Sequence, residues 1–227
     1  MTRAVLELQG LNKSFGALRA TQNLSFRVIA GEVHALIGPN GAGKTTVIQQ
    51  IYGALKPDSG RVFLNGRDIT SLPVPDRVRA GIGRSFQISN VLMDFTVLEN
   101  AIVAEQARLR QSFRFLQPAF EDQNLIVGAR SILRRVGLQD REGQLGSDLA
   151  HGERRVLELA LALATTPQLL LLDEPMAGAG PEESERMTQI IERLRGHAAI
   201  LLIEHDMDAV FRLADRITVL VEGEVIA

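Results

Sequence analysis

Apolar positions along the chain follow two different periods, and the switch between them divides it. Val5-Leu6-Glu7-Leu8 and Leu24-Ser25-Phe26-Arg27-Val28 alternate apolar with polar side chains, the period of half-buried strands. The stretches Val33-His34-Ala35-Leu36-Ile37, Leu169-Leu170-Leu171-Leu172 and Ala199-Ile200-Leu201-Leu202-Ile203 are nearly continuous apolar runs, as expected of parallel strands covered on both faces. A helix is predicted from Thr45 to about Tyr52. Pro57-Asp58-Ser59-Gly60 reads as a turn, residues 61–64 as a strand and Asn65-Gly66 as a hairpin connection, so an antiparallel flap is expected beside a buried sheet.

From about Ser89 to Leu149 strand signals give way to helical spacing, over residues 97–109 and 125–136, the second closed by Gly137. The α/β alternation then returns, with a helix from Glu153, strands at 169–172, 199–203 and 216–220, and helices at 182–194 and 208–213. The expected organisation is a single domain over residues 1–227. Residues 1–88 and 150–227 form an α/β core with its flap, and residues 89–149 form an inserted helical subdomain. No repeat, linker or low-complexity tract interrupts it.

Composition narrows the partners. The 227 residues carry 25 basic and 27 acidic side chains, well mixed, for a formal charge of −2, which gives no footprint for nucleic acid or an acidic membrane surface. Cysteine is absent, so disulfides and thiolate metal sites are excluded, and a reducing compartment is the natural one. No signal-peptide core is expected at the start. No apolar run reaches the ~18 residues a membrane span needs, so any membrane role is expected to come through partners.

Two segments carry chemistry. Gly38-Pro39-Asn40-Gly41-Ala42-Gly43-Lys44-Thr45-Thr46 follows a predicted strand and opens a predicted helix, and it fits G-x-x-x-x-G-K-[ST]. In that setting the main-chain N–H groups close around phosphate oxygens, Lys44 faces the β- and γ-phosphates, and Thr45 offers a hydroxyl to Mg²⁺. The other reading is a glycine-rich turn that binds nothing; the filled pattern in its strand-to-helix setting favours a nucleoside triphosphate. Asp173-Glu174-Pro175 ends the apolar run at 169–172, where open α/β sheets place their ligands. Asp173 is positioned to hold Mg²⁺ through its water shell, and Glu174 to polarise a water attacking the γ-phosphate. Asp-Glu-Pro is also an ordinary helix entry, and the Lys44 turn favours the metal reading.

Between these segments lies Leu149-Ala150-His151-Gly152-Glu153-Arg154-Arg155, ahead of a helix, with Gln87 upstream and His205 downstream. This order, over essentially the whole chain, resembles the ATP-binding-cassette (ABC) ATPases, whose signature loop reads approximately Leu-Ser-Gly-Gly-Gln. The resemblance implies a P-loop NTPase core with an antiparallel β flap and an inserted helical subdomain. It also implies ATP with Mg²⁺, and two cassettes sandwiching two nucleotides head to tail. In that arrangement Ala150, His151, Gly152 and Glu153 serve the partner's nucleotide in trans. The resemblance implies that His205 contacts the γ-phosphate and orients the attacking water, and that Gln87 completes the Mg²⁺ shell. It implies that Phe15 stacks on the adenine; a core Phe on the first sheet is the competing reading. Five phenylalanines between 86 and 120 (Phe86, Phe95, Phe113, Phe115, Phe120) read as the lobe's own core or as a docking groove.

Arg84-Ser85-Phe86-Gln87, Phe95-Thr96-Val97-Leu98-Glu99-Asn100 and Leu202-Ile203-Glu204-His205-Asp206-Met207 are similar to the branch that serves importers of branched-chain and other hydrophobic amino acids. That branch implies transmembrane permease subunits, an extracytoplasmic solute-binding protein acting indirectly, and a cytoplasmic place on the inner face of the membrane. Exporter or lipid-transport ATPases are the nearest alternative. Non-transport cassettes need a long coiled-coil insertion or a second fused cassette. Two departures stand out: Ala150 where the family has serine, and Gly180 where it has Asp or Asn.

Overall fold

The computed structural model describes residues 3–85, 91–109 and 119–227. Two sheets organise it. The first is antiparallel: β1 (Ala4–Phe15) pairs with β2 (Leu18–Ile29) on one side and β4 (Ser59–Leu64) on the other, and β5 (Arg67–Asp68) closes the edge. The second is centred on β3 (Val33–Ile37). Parallel neighbours β8 (Ala199–Ile203), β7 (Leu169–Asp173) and β6 (Ile82–Arg84) lie to one side of it. On the other side lie parallel β9 (Arg216–Val221) and, antiparallel at the edge, β10 (Glu224–Val225).

The leucine run shows why the central sheet is buried on both faces. Successive strand side chains point to opposite sides. Leu170 and Leu172, with Ile200 and Leu202, join one core with α5 (His151–Ala164), α6 (Pro181–Leu194), α3 (Val97–Arg108) and α4 (Gln123–Val136). Leu169 and Leu171, with Leu201 and Ile203, join the other, shared with α1 (Lys44–Tyr52) and the antiparallel sheet. The remaining helices are α2 (Val74–Ala80) and α7 (Met207–Leu213).

The expected strands at 5–8 and 24–28 are only the middles of β1 and β2. Both run 12 residues and meet in a tight hairpin at Phe15↔Leu18. Register shifts near Gly10 and Asn12 break the alternation there, which hid the extension. α2 and β6 were not anticipated: one is two turns long and the other three residues, too short for either period to register. β6 joins the core by pairing with β7, whereas α2 is held by Arg77, buried to 1% exposure, which donates to the carbonyls of Gln50 and Ile51 at the end of α1 and of Thr70 and Leu72. Of the five phenylalanines, Phe95 and Phe120 meet edge to face at 5.8 Å, and Phe120 is exposed. Phe86, Phe113 and Phe115 lie outside the described residues.

His34 sits inside β3 with no exposed surface, its Nε2 2.8 Å from Thr218 Oγ1 and its Nδ1 3.4 Å from Glu32 Oε1, against the ring of Phe26. Burial pulls its pKa below the ordinary histidine value; the Glu32 charge works the other way, and Arg216 works with burial. The unfolded chain therefore binds this proton at a higher pH than the folded one does. Stability is full above the unfolded value of about 6.5 and falls as pH drops through it. Urea midpoints are expected to fall between pH 7.5 and 5.5, with a smaller fall in His34→Gln. Parallel pH profiles for the two proteins would show that His34 is not the group responsible.

Candidate functional site

The carboxyl ends of β3, β7 and β8 converge on one edge of the central sheet, and the chemistry-bearing residues follow from there. After β3 the chain turns through Gly38 to Gly43 into α1. Only glycine fits at Gly43, where φ is 103° and an added Cβ would stand 2.1 Å from the carbonyl oxygen of Ala20. No side chain caps α1, so its first-turn N–H groups and positive dipole end face the turn itself. The Lys44 ammonium is buried and bonded to the carbonyls of Gly38 at 2.7 Å and Pro39 at 2.9 Å. Burial lowers its pKa, while the charges of Glu174 and Asp173 oppose the shift.

Asp173 is the last residue of β7 and is buried. Its Oδ2 accepts from Arg84 at 3.2 Å, whereas Oδ1 has no hydrogen-bond partner among the described residues. Burial raises its pKa and the Glu174 charge adds to the rise; Arg84 and Lys44 pull it down. A buried carboxylate oxygen without a donor suits a small hard cation, so the residues fit Mg²⁺ at this point. Among the described residues no group of three or more His, Asp or Glu gathers around a metal position. Mg²⁺ needs none where one carboxylate works with substrate phosphates.

Glu174 has φ of +52°, a left-handed conformation that costs a non-glycine residue of order 1–3 kcal/mol and recurs where geometry serves chemistry. The bend carries its side chain toward the loop after β8, where His205 Nε2 lies 2.6 Å from Glu174 Oε1. The two loops are joined a second time below. Buried Glu204 accepts from the backbone N–H of Met176 at 2.8 Å and of His205 at 3.0 Å. Burial raises the Glu204 pKa, and those backbone donors counter it. Neither Glu204 nor Arg84 was singled out from the sequence as a site residue. An acid directly after the apolar run 199–203 was the available signal for Glu204.

Thr45 is exposed on the first turn of α1, and Thr46 is half-buried beside it. Phe15 is 50% exposed at the end of β1 and belongs to neither core, with Lys13 Nζ 5.7 Å from the ring centre. Gln87 lies outside the described residues. Ala150, His151, Gly152 and Glu153 form the entry to α5, which has no side-chain cap at Ala150. His151, Asp173 and Glu174 all line one cavity of about 340 Å³. The structure thus brings Lys44, Asp173, Glu174 and His205 to one place: a cation at a phosphate-sized turn, a metal-ready carboxylate, and a carboxylate–imidazole pair. That set suits phosphoryl transfer to water.

A family model described as ABC transporter matches residues 21–177. The chain is 38% identical over 234 residues to the high-affinity branched-chain amino acid transport ATP-binding protein LivG of Salmonella typhimurium, covering 100% of this chain and 92% of that protein. It is 36% identical to the corresponding protein BraF of Pseudomonas aeruginosa with the same coverage. Among solved structures, the ADP conformation of MJ1267, an ATP-binding cassette of an ABC transporter, superposes with a TM-score of 0.88 at 32% identity, covering 100% of this chain and 91% of that one.

Proposed function

The chain belongs to the ABC transporter family, and we propose that it is the ATP-hydrolysing subunit of an importer for branched-chain or other hydrophobic amino acids, working through separate transmembrane permease subunits. The observation that carries the substrate class is the similarity to LivG and BraF across the whole of this chain. The site supports the ATPase part of the reading: ATP would lie with its phosphates in the Gly38–Thr46 turn, on Lys44 and the N-terminus of α1.

Each residue then has a task. Lys44 releases its loop carbonyls to bond the β- and γ-phosphates. Thr45, Asp173 and Gln87 would hold Mg²⁺, which neutralises charge on those phosphates. Glu174 takes a proton from the attacking water, with His205 fixing the direction of its carboxylate through the 2.6 Å contact. Phe15, half exposed and beside a lysine, offers a ring face to the base, a contact that any base can make.

The entry to α5 would face a nucleotide held by a second cassette, of the same or a homologous chain. Ala150 then brings no hydroxyl, and the N–H groups of the first turn do the binding. The division into a core with its flap (residues 1–88 and 150–227) and a helical lobe (89–149) fits the way α3 and α4 pack on α5 away from the antiparallel sheet. No helix among the described residues is long and apolar enough to cross a membrane. Attachment to the inner face of the membrane would therefore run through the permease subunits, with a solute-binding protein acting on their far side.

The test is transport. Reconstituted with its permease subunits and binding protein in vesicles, the chain is expected to drive ATP-dependent accumulation of leucine, isoleucine or valine. Accumulation of a sugar or of an inorganic ion instead would overturn the substrate class, and efflux would overturn the direction.

A further inference from the structure

We propose that Arg141 is a positioning residue for the loop Leu149-Ala150-His151-Gly152. Its guanidinium holds the Glu153 carboxylate back on the Ala150 N–H and offsets its charge, leaving the first turn of α5 open to the γ-phosphate of a nucleotide held by a second cassette. The inference rests on the reading that this loop serves a partner's nucleotide.

A carboxylate in the first turn of a helix and a phosphate at the same N-terminus compete for the same N–H groups and the same dipole end. A reciprocal capping box would settle the matter: an N-cap hydroxyl binds the N–H three residues on, and the acid at that position reaches back. Here only the return half exists. Ala150 has no side-chain oxygen, and Glu153 Oε2 accepts from the Ala150 N–H at a long 3.3 Å. Left to this bond, the carboxylate is free to swing across the turn. A second carboxyl lies close by, since an added Cβ on Gly152 would stand 2.5 Å from the Glu183 carboxyl carbon. The cation on Glu153 is Arg141, with Nε 2.9 Å from Glu153 Oε1.

Exposed ion pairs generally contribute little, because two long side chains must be ordered together. Arg141 differs in the backbone that presents it. Leu138 just before it is fully buried, the Arg141 N–H donates to the Leu138 carbonyl at 3.0 Å, and the Gln144 N–H donates to the Arg141 carbonyl at 2.9 Å. Glu142 is gripped by both nitrogens of the Arg130 fork at 2.8 and 2.9 Å. Residues 142–146 are bonded to the start of α3 through Val97 N–H to Gln144, Leu98 N–H to Glu142 and Gly146 N–H to Phe95. The guanidinium therefore projects from a turn fixed at both ends. The contact is a single Nε–Oε1 bond from a planar group with a fixed donor direction, whereas a lysine ammonium is a point charge with three rotatable donors.

The experiment is a double-mutant cycle on kcat/KM for ATP in the assembled complex, with wild type, Arg141→Ala, Glu153→Gln and the double variant, plus Arg141→Lys. Whatever Glu153→Gln does by itself, removing Arg141 is expected to cost about tenfold when Glu153 is present and less than twofold when residue 153 is Gln. Arg141→Lys is expected to recover part of the loss. Arg141→Gln replaces Arg141→Ala should the latter fail to fold by circular dichroism. Equal losses in both backgrounds would mean that Arg141 only supports the fold, and would overturn the proposal. So would an Arg141→Ala protein as active as wild type, and in that case the reading of the chain as an ATPase would stand. A wild-type complex without ATP turnover would overturn that reading and this inference with it.

Discussion

Glu174→Gln is expected to bind ATP at least as well as the wild-type chain and to hydrolyse it roughly 10²-fold or more slowly, the usual worth of a general base. The substitution keeps the shape of the side chain and a group that still reaches His205, but an amide cannot take the proton of the attacking water. Binding is expected to survive because the proposed phosphate contacts belong to the Gly38–Thr46 turn and Lys44, which the change does not touch. Losing a negative charge beside the γ-phosphate favours the bound state, so the variant should accumulate with ATP in place. Phosphate release under saturating ATP gives the rate, and equilibrium binding gives the affinity. Turnover within a few-fold of wild type would remove Glu174 from the role of base.

Lys44→Ala should fail earlier, at binding. The buried ammonium bonded to the Gly38 and Pro39 carbonyls is the group that would exchange those partners for phosphate oxygens. Hydrogen bonds to charged groups contribute about 1.5–3 kcal/mol each, so losing two weakens ATP roughly 10²–10⁴-fold. The same substitution removes one of the two positive charges near the Asp173–Glu174 pair and leaves Arg84 beside Asp173 as the other. Titration with a fluorescent ATP analogue, alongside a melting curve to show that the variant is folded, measures the effect. An affinity within threefold of wild type would mean that the turn holds phosphate by main chain alone.

The apolar runs were enough for β3, β7 and β8 of the central sheet, since a run such as Leu169-Leu170-Leu171-Leu172 has few other ways to hide both of its faces, whereas the three residues of β6 were too few to register. The glycine turn before α1 was legible for a different reason: Gly43 stands where any Cβ strikes the Ala20 carbonyl, so the residue type itself reports the geometry. What escaped was carried by single polar side chains in apolar surroundings. Arg77 ties α2 to α1 through the Gln50 and Ile51 carbonyls, Arg84 meets Asp173 across the sheet, and Glu204 receives the Met176 and His205 N–H groups. Each depends on partners distant in the chain, and no periodicity encodes such a partner. The long hairpin of β1 and β2 escaped because its bulges break the alternation that a strand pattern requires.

Glu204 has a consequence for how this site can change over time. By receiving the Met176 and His205 N–H groups on one buried carboxylate, it makes the loop bearing Glu174 and the loop bearing His205 a single mechanical unit. A backbone displacement of one loop would be passed to the other through this carboxylate, so Glu174 and His205 would shift together. Substitutions that alter one side of the site without the other would then have to lie outside that unit, in the glycine turn or the entry to α5.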